Sequence, residues 1–242
     1  MAKLCIALDM ESKNDNLRLC EEIAGNLTCD IYLKIGLRSF IRDGLDFVYA
    51  LKKLGFRIFL DLKLYDIPNT MLDSINEIKN LNIDMLTIHA SAGRVALQSI
   101  GDLIKQDKNM PLVFAVSALT SFSELDFDEI YNDNINNAVL KFARLSKECG
   151  ISGVVCSPLE SNIIKDSYDL LTLTPGIRPD SSDFEYLDSA LYAISDDQNR
   201  STSIKTALKH KSDFLVIGRP IYKNKNPALL VRKILEILNA NY

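Results

Sequence analysis

The stretch Phe59 to Thr70, FLDLKLYDIPNT, opens as an apolar strand and then sets Asp61, Lys63 and Asp66 within six residues. Asp61 and Lys63 are two positions apart, so in an extended strand both side chains leave by the same face. Burying a carboxylate beside an ammonium is costly, and apolar replacements are often neutral or stabilising, so such a pair points to chemistry before architecture. Asp66-Ile67-Pro68 also reads as a helix start, with a carboxylate at the N-terminus and proline in the first turn. An array of fixed charges suits a ligand whose own charge changes during reaction, because preorganised charges need no rearrangement as it reacts.

The elements that must hold these residues alternate along the chain. Short β-rich apolar runs occur at Leu4 to Asp9, Ile31 to Gly36, Phe56 to Leu64, Asp84 to Ala90, Pro111 to Ala118, Gly153 to Ser157, Asp169 to Thr174 and Asp213 to Gly218. Between them lie amphipathic stretches such as Phe40 to Leu54, where Ile41, Leu45, Val48 and Leu51 recur at helical spacing and Gly55 supplies a stop. A final helix follows Asn226-Pro227 and carries Leu230, Ile234, Ile237 and Leu238 on one side. Eight strands alternating with helices over 242 residues predict an α/β fold, a (β/α)8 TIM barrel in a single domain covering residues 1–242. A doubly wound open sheet is the alternative, but the first strand runs into Asp9-Met10-Glu11 rather than GxGxxG, which argues against a dinucleotide site.

A barrel gives each polar residue near a strand end a meaning, because active sites of this fold form at the C-terminal face. Asp9 ends strand one, Lys34 lies late in strand two, Asp61 and Lys63 end strand three, and His89 ends strand four. Thr120 follows strand five, Arg178 follows strand seven and Arg219 follows strand eight. Lys34 therefore adds a second ammonium to the mouth that holds Asp61 and Lys63. VIGRPI (Val216 to Ile221) pairs Gly218, which permits close backbone approach, with Arg219, a forked donor suited to phosphate. TPGIR (Thr174 to Arg178) ends strand seven in a similar way, and the loops after strands seven and eight frequently hold phosphate in barrels. His89 reads as a hydrogen-bonded residue beneath the mouth and His210 as an exposed one; neither has ligand-spaced partners for a metal. Thr120 and Ser121 read equally as a cap for the next segment or as ligand contacts.

Composition excludes other classes. A net charge of -4 with no long Lys or Arg run gives no electrostatic case for nucleic acid. The first apolar run, Leu4 to Leu8, is too short for a signal peptide, and no segment matches a membrane span, so a cytoplasmic protein is expected. Five cysteines (Cys5, Cys20, Cys29, Cys149, Cys156), without a CxxC pair, read as buried reduced thiols. Met1 and the compact C-terminal helix suggest a free-standing chain.

The motifs resemble those of the orotidine 5'-phosphate decarboxylase family over essentially the whole chain: IALD (Ile6 to Asp9), LKIG (Leu33 to Gly36), DLKLYDIPNT, TIHASAG (Thr87 to Gly93), LTS (Leu119 to Ser121), TPGIR and LVIGRPI. The resemblance implies decarboxylation of orotidine 5'-phosphate to UMP with no cofactor and no metal. It implies an alternating network of Lys34, Asp61, Lys63 and Asp66, with Lys63 as proton donor to C6 and Asp61 near the departing carboxylate. Asp66 and Thr70 would enter a neighbouring subunit's site, making the active unit a homodimer. Asp9 and Lys34 would contact the ribose hydroxyls, Thr120 the pyrimidine, and Arg178, Gln198, Gly218 and Arg219 the phosphate, with Arg200 a rival to Gln198. Between Arg178 and Gln198 the chain is longer and more acidic than the family's usual loop.

Two other readings compete. A magnesium-dependent sugar-phosphate decarboxylase or aldolase on a related barrel, such as the 3-keto-L-gulonate 6-phosphate decarboxylases, shares an Asp-x-Lys-x-x-Asp motif. That group offers a glutamate metal ligand on strand two, where this chain has Lys34, a cation that would repel the ion. A non-catalytic phosphate-binding barrel would require a degenerate charge array, yet all four charges are present.

Overall fold

The computed structural model describes residues 1–24, 31–184 and 202–240. Eight parallel strands close into a barrel in sequence order. They are β1 (Lys3–Ala7), β2 (Ile31–Gly36), β3 (Arg57–Leu64), β4 (Met85–His89), β5 (Leu112–Val116), β6 (Gly153–Val155), β7 (Leu171–Thr174) and β8 (Phe214–Ile217). β1 starts one residue before its predicted run and β2 coincides with its run; the other six fall within theirs, trimmed at one or both ends. β1 pairs with both β2 and β8, so the sheet has no exposed edge.

The helices are α1 (Lys13–Ile23), α2 (Leu37–Lys53), α3 (Pro68–Asn80), α4 (Gly93–Gln106), α5 (Glu124–Tyr131), α6 (Ile135–Cys149), α7 (Pro158–Tyr168), α8 (Ile204–Lys209), α9 (Arg219–Tyr222) and α10 (Pro227–Ala240). Local signals start several of them. Ser12 caps α1 by accepting from the Asp15 N–H, and Ser157 with Glu160 forms a reciprocal capping box on α7. α10 begins at Pro227 as expected and buries Leu230, Val231, Ile234, Leu235 and Leu238, with Ile237 half-buried against the core.

α2 departs from its predicted stripe. Val48 and Leu51 are buried, but Ile41 is 79% exposed and Leu45 is also exposed. Gly44 adopts φ 59, ψ -154, conformations open chiefly to glycine, and this break resets the phase of the helix. Before it, Ser39 and Phe40 face inward, with Ser39 Oγ donating to the Leu8 carbonyl at 2.7 Å; after it, Phe47, Val48 and Leu51 do so. Leu37, Ile41, Leu45 and Tyr49 are left as an apolar strip on the outside.

Strand alternation divides the core in two. Leu4, Ile6, Leu86 and Ile88 pack against the helices, while Cys5, Ala7 and Met85 point into the barrel. The interior carries Tyr32, Phe59, Phe114 and Phe214, with the Phe214 ring edge-on to both Tyr32 and Phe114 at centroid separations of 5.4 Å. Two residues further along β1, β5 and β8 the inward side chains shrink to Ala7, Val116 and Val216. Large rings fill the lower barrel and small ones leave space above. Truncating the shared ring in Phe214→Ala should lower stability by about 3–5 kcal/mol; a urea midpoint unchanged from wild type would contradict this packing.

Candidate active site

That space is a cavity of about 220 Å³ at the C-terminal mouth, floored by Ala7, Val116, Val155, Leu173 and Val216. Asp9, Lys34, Asp61 and Lys63 line it from the ends of β1 to β3, and Thr120, Arg178, Gly218 and Arg219 line it from the segments after β5, β7 and β8. Eight sequence-predicted residues therefore share one cavity.

The charges form a continuous chain. Lys63 Nζ lies 2.7 Å from Asp61 Oδ1, while Lys34 Nζ lies 3.5 Å from Asp61 Oδ2 and 3.3 Å from Asp9 Oδ1. The side chains of Lys34 and Asp61 are only 12% and 13% exposed, so the inner pair is largely removed from water. Lys63 and Asp9, at 33% and 44%, stand at the open ends.

Regular alternation along β3 does not produce this contact. Leu60 pairs with Leu86 and Leu64 with Ile88, so four steps on β3 oppose two on β4. Within the bulge Lys63 takes φ 49, a left-handed conformation rare for a residue with a side chain and costly unless its surroundings enforce it. Its N–H donates to Thr87 Oγ1 at 3.0 Å, and Thr87 Oγ1 donates to Asp61 Oδ1 at 2.9 Å.

Burial opposes ionisation of Lys34, but Asp61 and Asp9 outweigh it and raise its pKa above the ordinary 10.5. Burial likewise opposes ionisation of Asp61, and Lys34 and Lys63, with the hydrogen bonds from Lys63 and Thr87, outweigh it and hold the carboxyl below its ordinary 3.8. The raised Lys34 contributes stability that is complete below pH 10.5 and lost as pH rises through its folded value. The depressed Asp61 contributes stability present above pH 3.8 and lost as pH falls through its folded value. Both groups are charged across the neutral range.

On the other arc, Arg178 follows Gly176 and Ile177, donates from its guanidinium to the Ile177 carbonyl at 2.8 Å, and is half-buried. Arg219 opens α9, directly after Gly218. Two guanidinium groups facing one cavity suit a doubly charged oxyanion. Thr120 faces the cavity, and the cap of α5 falls to Ser123, whose side chain accepts from the Asp126 N–H in a capping box. His89 accepts from the Ser91 N–H at 3.3 Å and stacks on Tyr65; burial, aided by Lys63, pushes its pKa down, so it is a neutral hydrogen-bonded residue. His210, expected to be exposed, is half-buried where it closes α8.

Asp66 and Thr70 are not among the residues brought together. Asp66 is exposed and accepts from the neighbouring Ile67 N–H at 2.7 Å; Thr70 is exposed in the first turn of α3. Within one chain the second carboxylate of the array is Asp9, because α3 starts at Pro68 and carries Asp66 outward. Gln198 and Arg200, like Cys29, lie outside the described residues. Cys5, Cys20, Cys149 and Cys156 are buried and unbridged. Among the described residues no three His, Cys, Asp or Glu side chains group as metal ligands, and no helix is long and apolar enough to cross a membrane.

Two residues of the site escaped the sequence reading, Thr87 behind the charge array and Tyr222 on the cavity wall. Thr87 sits two positions before His89 on the inward face of β4, where a polar residue in a buried run was the available signal. Tyr222 lines the cavity one helical turn after Arg219; burial and the Asp9 carboxylate raise its pKa against three nearby arginines.

The family described as "Orotidine 5'-phosphate decarboxylase / HUMPS family" matches residues 2–234. The chain belongs to this family. It is 49% identical over 236 residues to orotidine 5'-phosphate decarboxylase of Campylobacter fetus subsp. fetus, covering 96% of this chain and 98% of that one. It is 48% identical over 235 residues to the Nautilia profundicola enzyme of the same name, covering 96% and 97%. Among solved structures, orotidine 5'-phosphate decarboxylase from Lactobacillus acidophilus superposes with a TM-score of 0.80 at 29% identity, covering 99% of this chain and all of that one. Orotidine 5'-monophosphate decarboxylase from Methanocaldococcus jannaschii, complexed with inhibitor BMP, gives 0.73 at 22% identity, covering 99% of each, and bears on the fold alone.

Removing the charge of Asp61 leaves Lys34 with burial opposed only by Asp9. Asp61→Asn should lower the Lys34 pKa by about one pH unit or more, read by nitrogen NMR of the ammonium; a value at or above wild type would contradict the coupling.

Proposed function

We propose that this chain decarboxylates orotidine 5'-phosphate to UMP without a cofactor, a carbon–carbon lyase step of pyrimidine biosynthesis. The observation that carries the reading is the Asp9–Lys34–Asp61–Lys63 chain of charges sharing one cavity with Arg178 and Arg219. In this reading the two arginines, the Gly218 backbone and Gln198 take the phosphate, Asp9 and Lys34 the ribose hydroxyls, and Thr120 the pyrimidine. The substrate's C6 carboxylate then lies beside Asp61, whose lowered pKa keeps it negative.

The C6–carboxylate bond breaks, CO2 leaves, and the electron pair remains on C6 in a ring orbital with little resonance relief. The Lys63 ammonium stabilises that charge as it forms; its N–H bond then breaks, the proton passes to C6, and the amine regains a proton from water. Asp61 contributes by repelling the departing carboxylate and by holding Lys63 at 2.7 Å. Phosphate binding, remote from C6, supplies energy that orients the reacting ring. The magnesium-dependent alternative is disfavoured by Lys34, whose ammonium occupies the position on β2 where a metal-binding carboxylate would be required.

The active unit in this reading is a homodimer in which Asp66 and Thr70 enter the partner's site. Supporting it, both are exposed, Tyr65 and Ile67 beside them are 64% and 67% exposed, and α2, the helix that precedes β3 in the chain, carries an exposed apolar strip of its own. The balance of charge is acidic, so nucleic acid is not a partner. The unbridged thiols fit a cytoplasmic enzyme.

Lys63→Ala should lose turnover by about 10³-fold or more while still binding UMP, measured by absorbance and calorimetry; turnover equal to wild type would overturn the assignment. Mixing inactive Lys63→Ala with inactive Asp66→Asn should regain about a quarter of wild-type activity, since half the dimers are mixed and each has one intact site. No recovery after subunit exchange would contradict the shared site.

A further inference from the structure

We propose that Thr87 is a positioning residue, whose single hydroxyl locks the orientation of the Asp61 carboxylate to the backbone from which Lys63 rises. The proposal deepens the decarboxylase reading and rests on it for the roles of Asp61 and Lys63.

The hydroxyl makes two directional bonds. It accepts from the Lys63 N–H at 3.0 Å, so its own hydrogen is committed to Asp61 Oδ1 at 2.9 Å. Thr87 is 1% exposed, so bulk solvent has little access to its hydroxyl. It stands on β4 in register with Phe114 of β5, on the inward face that carries Met85 and His89. Branching at Cβ restricts its χ1, so the strand fixes the hydroxyl.

Both ends of this link need support. The β3 bulge removes regular ladder pairing opposite Thr87, and Lys63 sits there with φ 49; the Thr87 oxygen supplies an acceptor for its N–H. At the other end, Asp61 Oδ1 is shared between Thr87 and the Lys63 ammonium, while Oδ2 faces Lys34. When Lys63 turns toward C6 to deliver its proton, Oδ1 loses that partner. Thr87 is then the remaining donor that keeps the carboxylate from rotating after the ammonium or out of line with the substrate. A lysine that must leave its carboxylate needs the carboxylate to stay.

The charged groups facing Asp61 are Lys34 from β2 and Lys63 from β3; Asp9 acts through Lys34, and His89 of β4 faces Lys63. None of these groups is itself substituted in the Thr87 variants, and Thr87→Ser keeps both the acceptor for the Lys63 N–H and the donor to Asp61, so a change in Asp61 titration seen in Val and absent in Ser reports the hydroxyl. Thr87→Val keeps the shape and removes the hydroxyl; Thr87→Ser keeps the hydroxyl and removes the methyl. The Val variant should lower kcat for orotidine 5'-phosphate by about 10- to 100-fold with KM within about 3-fold of wild type, and the Ser variant should restore kcat to within about 3-fold.

In the ligand-free protein, carbon NMR of aspartate carboxyls should show the Asp61 pKa raised in the Val variant, because a bond favouring the charged form is lost, and returned in the Ser variant. A packing role predicts the reverse order, with Ser the more damaged. Wild-type kcat and Asp61 titration in the Val variant, or a Ser variant as impaired as Val, would overturn the proposal. Absent turnover in wild type would instead refute the decarboxylase reading, with the Asp61 titration still deciding the role of Thr87.

Discussion

One carboxylate between two ammonium groups governs this structure. Asp61 is nearly buried, and neither it nor Lys34 would be tolerated alone in that surrounding; each remains ionised because the other does. The contact demands three adjacent strands at fixed register, which a closed barrel supplies. Lys34 pairs with Phe59, and Gly36 lies opposite Asp61. A Cβ on Gly36 would sit 3.1 Å from Lys34 Nζ and 3.4 Å from Asp9 Oδ1, so glycine leaves room for the ammonium that a larger residue would narrow by a few tenths of an ångström.

The rest of the barrel can be understood as support for this arrangement. Aromatic rings fill the lower interior and make a firm base, while Ala7, Val116, Val155 and Val216 keep the upper layer thin enough for a ligand to sit against the charges. The bulge in β3 spends ladder hydrogen bonds and places Lys63 in a left-handed conformation, a local cost concentrated where the chemistry is and compensated by Thr87. Rigidity below and strain above have the same purpose: charges that do not relax when the ligand's charge moves.

Much of this was legible in the chain. Eight apolar runs alternating with helical patterns specified the strands because most of their residues are buried, and Asp9, Lys34, Asp61, Lys63, Thr120, Arg178, Gly218 and Arg219 could be placed at one mouth from strand ends alone. What escaped depended on departures from periodicity. Asp61 and Lys63 do meet, as their spacing suggested, but through a bulge and a left-handed Lys63 that alternation does not foresee, since a register shift is set by two strands at once. Ile41 and Leu45 fit a helical stripe, but Gly44 broke the phase that the stripe assumed. Asp66, expected in a neighbouring subunit's site, points away from the cavity of its own chain on the approach to α3, and a single chain carries no signal of what it meets there.

The central claim is that fixed protein charges suffice for the reaction, without a metal or cofactor. Its most direct test is the absorbance of orotidine 5'-phosphate after adding purified protein in excess EDTA. The charge array predicts a decline to the UMP spectrum at the same rate with and without chelator; loss of turnover in EDTA that magnesium restores would contradict it.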